Sequence, residues 1–550
     1  MEFIKDLKKE FKGYNGSTFL KDLMAGLTVA AVALPLALAF GVSSGADAAA
    51  GLITAIISGI VISSLSGAYY QISGPTGAMA AILMSIVAKY QLKGVFIATL
   101  IAGVILLLAG ILHLGKLTSY IPAPVITGFT SGISVIIALG QIDNFFGVKS
   151  VGETTVEKIL SYGKLGFSPN LAAVGVGLFV ILFMIFFPKK WNAVVPASLI
   201  SIIIATIGVN LLNLDVAMVG EIPKTLLPAN RLNIADINMK EITDLLAPSL
   251  SIAVLGMIES LLCGASAGRM TGVRLNSDRE LIAQGIGNMI IPFFGGIPAT
   301  AAIARTSVAI KSGAKTRITG IFHAVGLLIS MFLLGPVMSK IPLSALAGVL
   351  MVTAWRMNEW HAIKYIFSRK FKSAIIMFIL TMVATIVFDL TIAIVIGIFT
   401  ALVLLVRRLS EIEINIEKVD MSRIDNIDDK LNRRYSKAEV VYITGTVIFA
   451  NTNSIEDIAD NLRKDTDTAI FSMRGVSYMD ISGAQALQTL INQLINKNID
   501  VVFCALSNSA MEMMKRSGIY DMLGEESFYW SVECALKDHR PRISENIVAN

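Results

Sequence analysis

The chain has 550 residues, of which 54% are hydrophobic and only 16% charged, with a formal net charge of +6 and a mean hydropathy of +0.70. Soluble globular domains carry roughly 25% charged residues, so the composition excludes a soluble protein and indicates a polytopic membrane protein embedded in a lipid bilayer. The basic excess sits in short clusters between apolar spans rather than in one stripe, which argues against nucleic acid as a partner and for a topology signal.

In chain order, the N-terminus is basic (Lys5, Lys8, Lys9, Lys12). The apolar stretch behind it is too long for a signal-peptide core and is expected to stay as the first membrane helix. A hydrocarbon core of roughly 30 Å requires about 17 to 25 apolar residues per helix. Such segments fall near 22–44, 48–66, 94–113, 122–140, 170–187, 194–212, 244–267, 317–338, 343–356, 374–388 and 391–406, with shorter ones near 76–88, 280–294 and 300–311. Lys/Arg clusters at the N-terminus, Lys189 and Lys190, Arg269 to Arg279, Lys311 to Arg317, Arg369 to Lys372, and Arg407 and Arg408 alternate with the helix count if both termini are cytoplasmic. The expected site is therefore the cytoplasmic membrane, with 141–169 and 213–243 as external connections. Cys263 lies in an apolar helix and Cys504 and Cys534 in the tail, without metal-ligand spacing, so neither a disulfide framework nor a metal cofactor is implied.

Two segments stand at matching places in the apolar region: Ser73-Gly74-Pro75-Thr76-Gly77-Ala78-Met79-Ala80 and Gly295-Gly296-Ile297-Pro298-Ala299-Thr300-Ala301-Ala302. Each puts glycine and proline at the mouth of a stretch too short to cross a bilayer, as a half-helix starting at mid-membrane requires. Pro35 precedes Thr76 by 41 positions and Glu259 precedes Thr300 by 41. With an odd number of elements in each half, about seven, the halves must run in opposite directions. Inverted repeats are expected over about 15–212 and 242–409. The unpaired amides at two facing half-helix N-termini make an anion site.

After Arg408 the composition changes. Ser410 to Arg434 has the charge of a linker, and 435–550 alternates apolar strands with amphipathic helices, which predicts a small α/β layer domain behind a membrane domain of 1–409. Strands are expected at Val440–Thr444, Thr468–Ser472 and Asp500–Cys504, and helices at Ser454–Arg463, Gly483–Ile495 and Asn508–Arg516.

Three motifs give the chain a family resemblance: Ala33-Leu34-Pro35-Leu36-Ala37-Leu38-Ala39, Ser73-Gly74-Pro75-Thr76-Gly77, and Pro292-Phe293-Phe294-Gly295-Gly296-Ile297-Pro298-Ala299-Thr300-Ala301-Ala302-Ile303-Ala304-Arg305-Thr306. With them the chain resembles the sulfate permease (SulP) family of anion transporters, and its tail resembles the STAS domain of anti-sigma factor antagonists. The resemblance implies fourteen elements in two inverted repeats of seven, a core domain moving against a gate domain, a homodimer, and a small inorganic or carboxylate anion as substrate. Tyr478-Met479-Asp480-Ile481-Ser482-Gly483 matches the antagonist turn, but Ile481 stands where their phosphorylated serine does. Ser482 reads as a helix cap, and the domain as a dimerisation module or a dock for a cytoplasmic protein.

The candidate substrate residues are Ser73, Gly74, Thr76, Gly77, Pro298, Ala299, Thr300, Ala301 and Arg305. Thr76 and Thr300 offer hydroxyl donors, although capping accounts for Ser/Thr at such places equally well. Arg305 costs about 2.5–3.5 kcal/mol on insertion unless it faces a cavity or a partner. The alternatives are snorkelling or an ion pair with Glu259. In the family an acid at the position of Glu259 is tied to coupling, by H⁺ or Na⁺. Cys263, one turn on, stands where sodium-coupled relatives offer threonine, and hard cations select oxygen, which favours H⁺. Sulfate is the leading substrate, with bicarbonate and a C4-dicarboxylate as rivals. A nucleobase-type permease or channel and a sensor signalling through the tail are readings of other classes. No nucleophile–base pair or nucleotide loop suggests an enzyme.

Overall fold

The computed structural model describes residues 2–116, 121–152, 155–188, 196–233, 235, 237–388, 390–419 and 435–540. The cluster at Lys189 and Lys190, residues 420–434 of the expected linker and the tail 541–550 lie outside these. The chain divides into two units, Met1–Phe399 and Thr400–Asn550.

The first half of the membrane unit comprises α1 (Glu2–Glu10), α2 (Gly16–Ser43), α3 (Ala48–Leu65), β1 (Ser73–Gly74), α4 (Gly77–Ile111), α5 (Ala123–Gly140), α6 (Ile142–Phe146), α7 (Thr155–Leu165), α8 (Leu171–Phe186) and α9 (Ala197–Leu211). The second half comprises α10 (Met239–Thr271), α11 (Ser277–Ile290), β2 (Thr300–Ala301), α12 (Ile303–Lys311), α13 (Ile318–Met338), α14 (Leu343–Met357), α15 (Trp360–Ser368), α16 (Lys372–Val387) and α17 (Leu390–Leu409). Side-chain caps fix the starts of the long helices: Asn15 accepts from the Thr18 amide, Asp47 from Ala50, and Asn238 forms a capping box with Glu241. The connection 141–169 is not a plain loop, since it folds into α6 and α7.

α4 is two membrane elements joined by a break at Gln91 (φ 57°, ψ −170°). Counting it twice and omitting α1, α6, α7 and α15 gives seven membrane elements in each half among the described residues. From Gly77 to Tyr90 the helix is about 21 Å long and the nine residues of α12 about 13.5 Å, at 1.5 Å per residue. Neither crosses a core of roughly 30 Å. Their entry segments β1 and β2 pair antiparallel, Ser73 opposite Ala301 and Gly74 opposite Thr300, so the two halves meet head to tail as inverted repeats must.

Close backbone approach holds the bundle together where lipid supplies no hydrophobic drive. Gly103 of α4 and Gly285 of α11 face each other, and a Cβ on either would stand 2.8 Å from the other's carbonyl oxygen. At the end of this bundle Asp22, fully buried, accepts bonds from the amides of Lys315 and Thr316 and the hydroxyls of Thr316 and Thr319, tying α2 to the start of α13.

The second unit is a five-stranded sheet in the order β3 (Glu413–Lys418), β4 (Ala438–Val447), β5 (Thr468–Met479), β6 (Asp500–Cys504), β7 (Phe528–Tyr529), parallel except for β3. Its helices are α18 (Thr452–Glu456), α19 (Ile458–Asn461), α20 (Ile481–Asn496), α21 (Asn508–Arg516), α22 (Ile519–Leu523) and α23 (Val532–Asp538). Three expectations need correction. The linker begins with a strand, because Ile412, Ile414 and Ile416 pack on the core while Glu413, Asn415 and Glu417 alternate with them. The helix expected over Ser454–Arg463 is two short turns. Asp480, not Ser482, caps α20: its carboxylate accepts from the Gly483 amide at 2.8 Å and from the Phe449 amide at 3.0 Å, a reach that leaves Ser482 inside the first turn.

Glu439 of β4 is 4% exposed and accepts from the Arg463 amide, the Arg463 Nε and the Thr466 hydroxyl. Burial pushes its carboxyl up, and the bonds from Thr466 and Arg463 more than offset this, holding it below the usual value of 4.5. A depressed folded value means that the stabilisation is complete above 4.5 and is lost as pH falls through the folded value. Glu439→Ala should therefore destabilise the domain by about 2 kcal/mol at pH 7. The gap between variant and parent should close in acid, as followed by thermal unfolding at a series of pH values.

Candidate functional site

The site is built where β1 and β2 cross. The ladder is extended by the Ala302 amide donating to the Ile72 carbonyl (3.0 Å) and by the Ile72 amide donating to the Thr306 hydroxyl (3.1 Å). These bonds consume the backbone groups of the entry strands and leave the first-turn amides of the two half-helices. At α12 the N-cap is Ala302, which has no side-chain oxygen to offer. Its neighbours Ile303 and Ala304 are exposed. The N-terminus of α12 is thus open and carries roughly half a positive charge. At α4 the cap is Thr76, whose hydroxyl oxygen accepts from the Met79 amide at 3.4 Å.

Two of the expected residues converge on one atom of a third. The Thr300 hydroxyl donates to Glu259 Oε2 at 2.5 Å and the Thr76 hydroxyl to the same oxygen at 2.9 Å, with 3.2 Å between the two hydroxyls. Thr300 lies in β2, ahead of the helix, so it has no capping role, whereas Thr76 caps and donates at once. Glu259 comes from the middle of α10 and is partly exposed. An acid inside an apolar helix, partly exposed and bonded to both half-helix entries, is placed to carry charge or a proton.

Arg305 is 2% exposed, which excludes snorkelling. Its Nη2 donates to the Pro75 carbonyl at 3.0 Å, across the ladder, while Nη1 is buried without a partner among the described residues. No ion pair with Glu259 within 4.0 Å occurs among the described residues, so that alternative is dropped. The guanidinium lies against Gly74, where a Cβ would run into it. Gly74→Val should therefore displace Arg305 and abolish uptake while the protein still inserts; wild-type uptake by this variant would remove the crossing from the site. Gly296 has a different reason for its lack of a side chain: a Cβ there would stand 2.8 Å from the Thr54 hydroxyl and 2.6 Å from Ile291 Cγ2.

The remaining expected residues pack around the crossing, Ser73 through its side-chain hydroxyl and the others through their backbones or the room they leave. Ser73 accepts from Gln284 Nε2 at 3.0 Å. Gly77 makes room for Ile137 and Phe40, and the Ala301 amide donates to the Ser260 hydroxyl at 3.3 Å. Pro298 is buried, and Ala299 is gripped at both ends by Asn288, whose Oδ1 accepts from its amide (2.8 Å) and whose Nδ2 donates to its carbonyl (2.9 Å).

Sequence reasoning missed the frame behind the crossing. Glu280, Gln284 and Asn288 are each at most 1% exposed and, at i, i+4 and i+8, form one polar stripe on α11. Glu280 accepts from Ser66, Gly67 and Gln284. Thr54 of α3 both donates to the Ile297 carbonyl and accepts from its amide. The stripe was visible as polar residues every fourth position in an otherwise apolar segment. Thr54 carried no signal, because a threonine in a membrane helix ordinarily bonds its own i−4 carbonyl, as this one also does. Cys263 is buried and donates to the Thr306 hydroxyl at 3.3 Å. A separate cavity of about 300 Å³ is bounded by Ser131, Ser134, Trp355 and Trp360 and has no charged residue among the described ones that line it.

The profile of the Sulfate permease family matches residues 19–381 and that of the STAS domain residues 430–535. YvdB of Bacillus subtilis (strain 168), provisionally named a sulfate transporter, is 35% identical over 534 residues, covering 94% of this chain and 97% of its own. The protein named Bicarbonate transporter BicA from Picosynechococcus sp. is 28% identical over 546 residues, 94% of each chain. Among solved structures, the murine Slc26a9 anion transporter in the inward-facing state has the same fold, with a TM-score of 0.82 at 17% identity over 95% of this chain and 92% of that one. The transmembrane domain of a cyanobacterial BicA gives 0.64 at 29% identity over 70% of this chain and 98% of that one.

Proposed function

The chain belongs to the sulfate permease family, and from that premise we propose that it is a secondary active transporter moving a small inorganic anion, sulfate first, by alternating access coupled to H⁺. As a member of the family it is a multi-pass anion transporter with a STAS domain and not an enzyme. One observation carries the siting of the anion: a buried guanidinium nitrogen without a partner beside the open N-terminus of a half-helix. An anion there is bound by Arg305 Nη1, the free amides of α12 and a threonine hydroxyl, which together replace its hydration. Glu259 is the coupling residue. H⁺ rather than Na⁺ is favoured because the side chain one turn along is the Cys263 thiol, already engaged with Thr306, where a sodium ion would want oxygen.

Bicarbonate is the second reading, favoured by the similarity to the proteins named BicA at 28% and 29% identity. In either case the core carrying the crossing is proposed to move against a gate that includes α5 and α14, in a homodimer in the cytoplasmic membrane with both termini inside. The STAS domain serves as its dimerisation or docking module. Uptake of labelled sulfate, bicarbonate and succinate into proteoliposomes, with and without H⁺ or Na⁺ gradients, tests the whole reading. Proton-driven accumulation of sulfate is expected. Strict sodium dependence would overturn the choice of H⁺, and accumulation of bicarbonate or succinate alone would overturn the choice of sulfate.

A further inference from the structure

Resting on the assignment of Glu259 as the H⁺-coupling residue, the geometry points to how a proton alters anion affinity. We propose that Thr76 and Thr300 form a hydroxyl switch: both their protons are lent to the Glu259 carboxylate when it is ionised, and one of them turns toward the anion when it is protonated.

Both hydroxyls converge on Oε2 of Glu259, at 2.9 and 2.5 Å. Each hydroxyl has one proton to give, and an ionised carboxylate only accepts. In that state both protons are committed to Glu259, and the oxygen of Thr76 is further held by the Met79 amide. Adding a proton to Oε2 makes it a donor, and the acceptors in reach are the two threonine oxygens. Whichever of them accepts must direct its own proton elsewhere. The open side is the one next to Ala302, which is partly exposed, and the exposed Ile303 and Ala304, where the anion is placed. No bond other than O–H is made or broken: one proton enters from solution, one hydroxyl rotates, and one anion gains a donor.

Other groups around Glu259 leave this exchange as the responsive element. α12 faces it with Arg305, α4 with Thr76 and β2 with Thr300. On α11 the Glu280 carboxylate is taken up by Ser66, Gly67 and Gln284, and on α10 itself Cys263 is bonded to Thr306. Because proton and anion each favour the other, the coupling is reciprocal. Coupling by charge alone, in which ionised Glu259 simply repels the anion, would need neither threonine. That difference makes the switch testable.

The test is sulfate titration of the purified full-length chain at pH 7.5 and 5.5, with protons taken up per sulfate read by an indicator dye. The parent should bind at least about fivefold more tightly at pH 5.5, the lower end of typical coupling factors. In Thr76→Val/Thr300→Val that ratio should fall below about twofold with proton uptake falling alongside, by the same reciprocity. Thr300→Ser, which keeps the hydroxyl, should retain the parent ratio. A double variant with the parent's ratio and proton uptake would overturn the switch in favour of charge alone. Should the double variant fail to fold, infrared spectra of the parent at pH 5.5 decide. The carbonyl band that disappears in Glu259→Gln should shift when sulfate binds, and an unshifted band overturns the proposal. A parent that binds sulfate equally at both pH values overturns instead the H⁺-coupled reading on which the switch rests.

Discussion

Arg305→Ala is expected to weaken anion binding at least about 30-fold, the equivalent of about 2 kcal/mol, the lower end of what truncating one side of a buried charge contact costs. The chain folds around Arg305 with Nη2 spent on the Pro75 carbonyl and Nη1 without a partner among the described residues. Removing the side chain gives up one charge-assisted hydrogen bond to the Pro75 carbonyl and relieves the cost of a charge held inside the membrane; the two oppose each other, so insertion and thermal stability should change little. Binding should respond strongly, because Nη1 supplies both charge and a directed donor in a low-dielectric site. Arg305→Lys should fall between the two, since the charge survives and the planar fork does not. Titration of the purified variants with sulfate measures all three affinities, and an unchanged affinity in the alanine variant would remove Arg305 from the site.

Glu259→Gln is expected to abolish concentrative uptake driven by an inward proton gradient while exchange of internal for external anion continues. Glutamine has the shape of the protonated acid and accepts a threonine hydroxyl bond at its carbonyl oxygen, so the crossing at Thr76 and Thr300 stays assembled. It has no proton to release, so the proton gradient has nothing to act on. Anion affinity in this variant should lose its dependence on pH and sit near the parent's low-pH value. Accumulation in proteoliposomes with and without the gradient measures the effect; full gradient-driven accumulation by the glutamine variant would eliminate Glu259 as the coupling residue.

Much of this arrangement was legible in the sequence, for reasons that can be named residue by residue. Gly74, Pro75, Gly295, Gly296 and Pro298 interrupt apolar runs too short to span, and only a half-helix entry explains such an interruption in both halves. Arg305 and Glu259 were conspicuous because a charge inside an apolar segment is costly enough to demand a role. What distinguished the residues sharing one motif was hidden. Thr76 and Thr300 look equivalent in sequence, yet one caps a helix and the other sits in a strand, a difference set by where α4 and α12 begin. Thr54 and Asn288, which clamp the Ile297 and Ala299 peptides, come from other helices, and their partners are 243 and 11 positions away. Periodicity along one helix reports which face is polar and says nothing of which distant loop it holds. In the second unit the period-two alternation of Ile412, Ile414 and Ile416 signalled a strand, and the charges around it masked that signal.

The central claim is that the anion sits at the crossing of the two half-helices, and selenate, an isostere of sulfate with an anomalous scatterer, tests it most directly. Diffraction from crystals soaked in selenate should place the selenium peak within about 4.5 Å of Arg305 Nη1, hydrogen-bond distance plus one Se–O bond, facing the amides of Ile303 and Ala304. A selenium peak elsewhere in the membrane unit, with the crossing empty, would contradict the account.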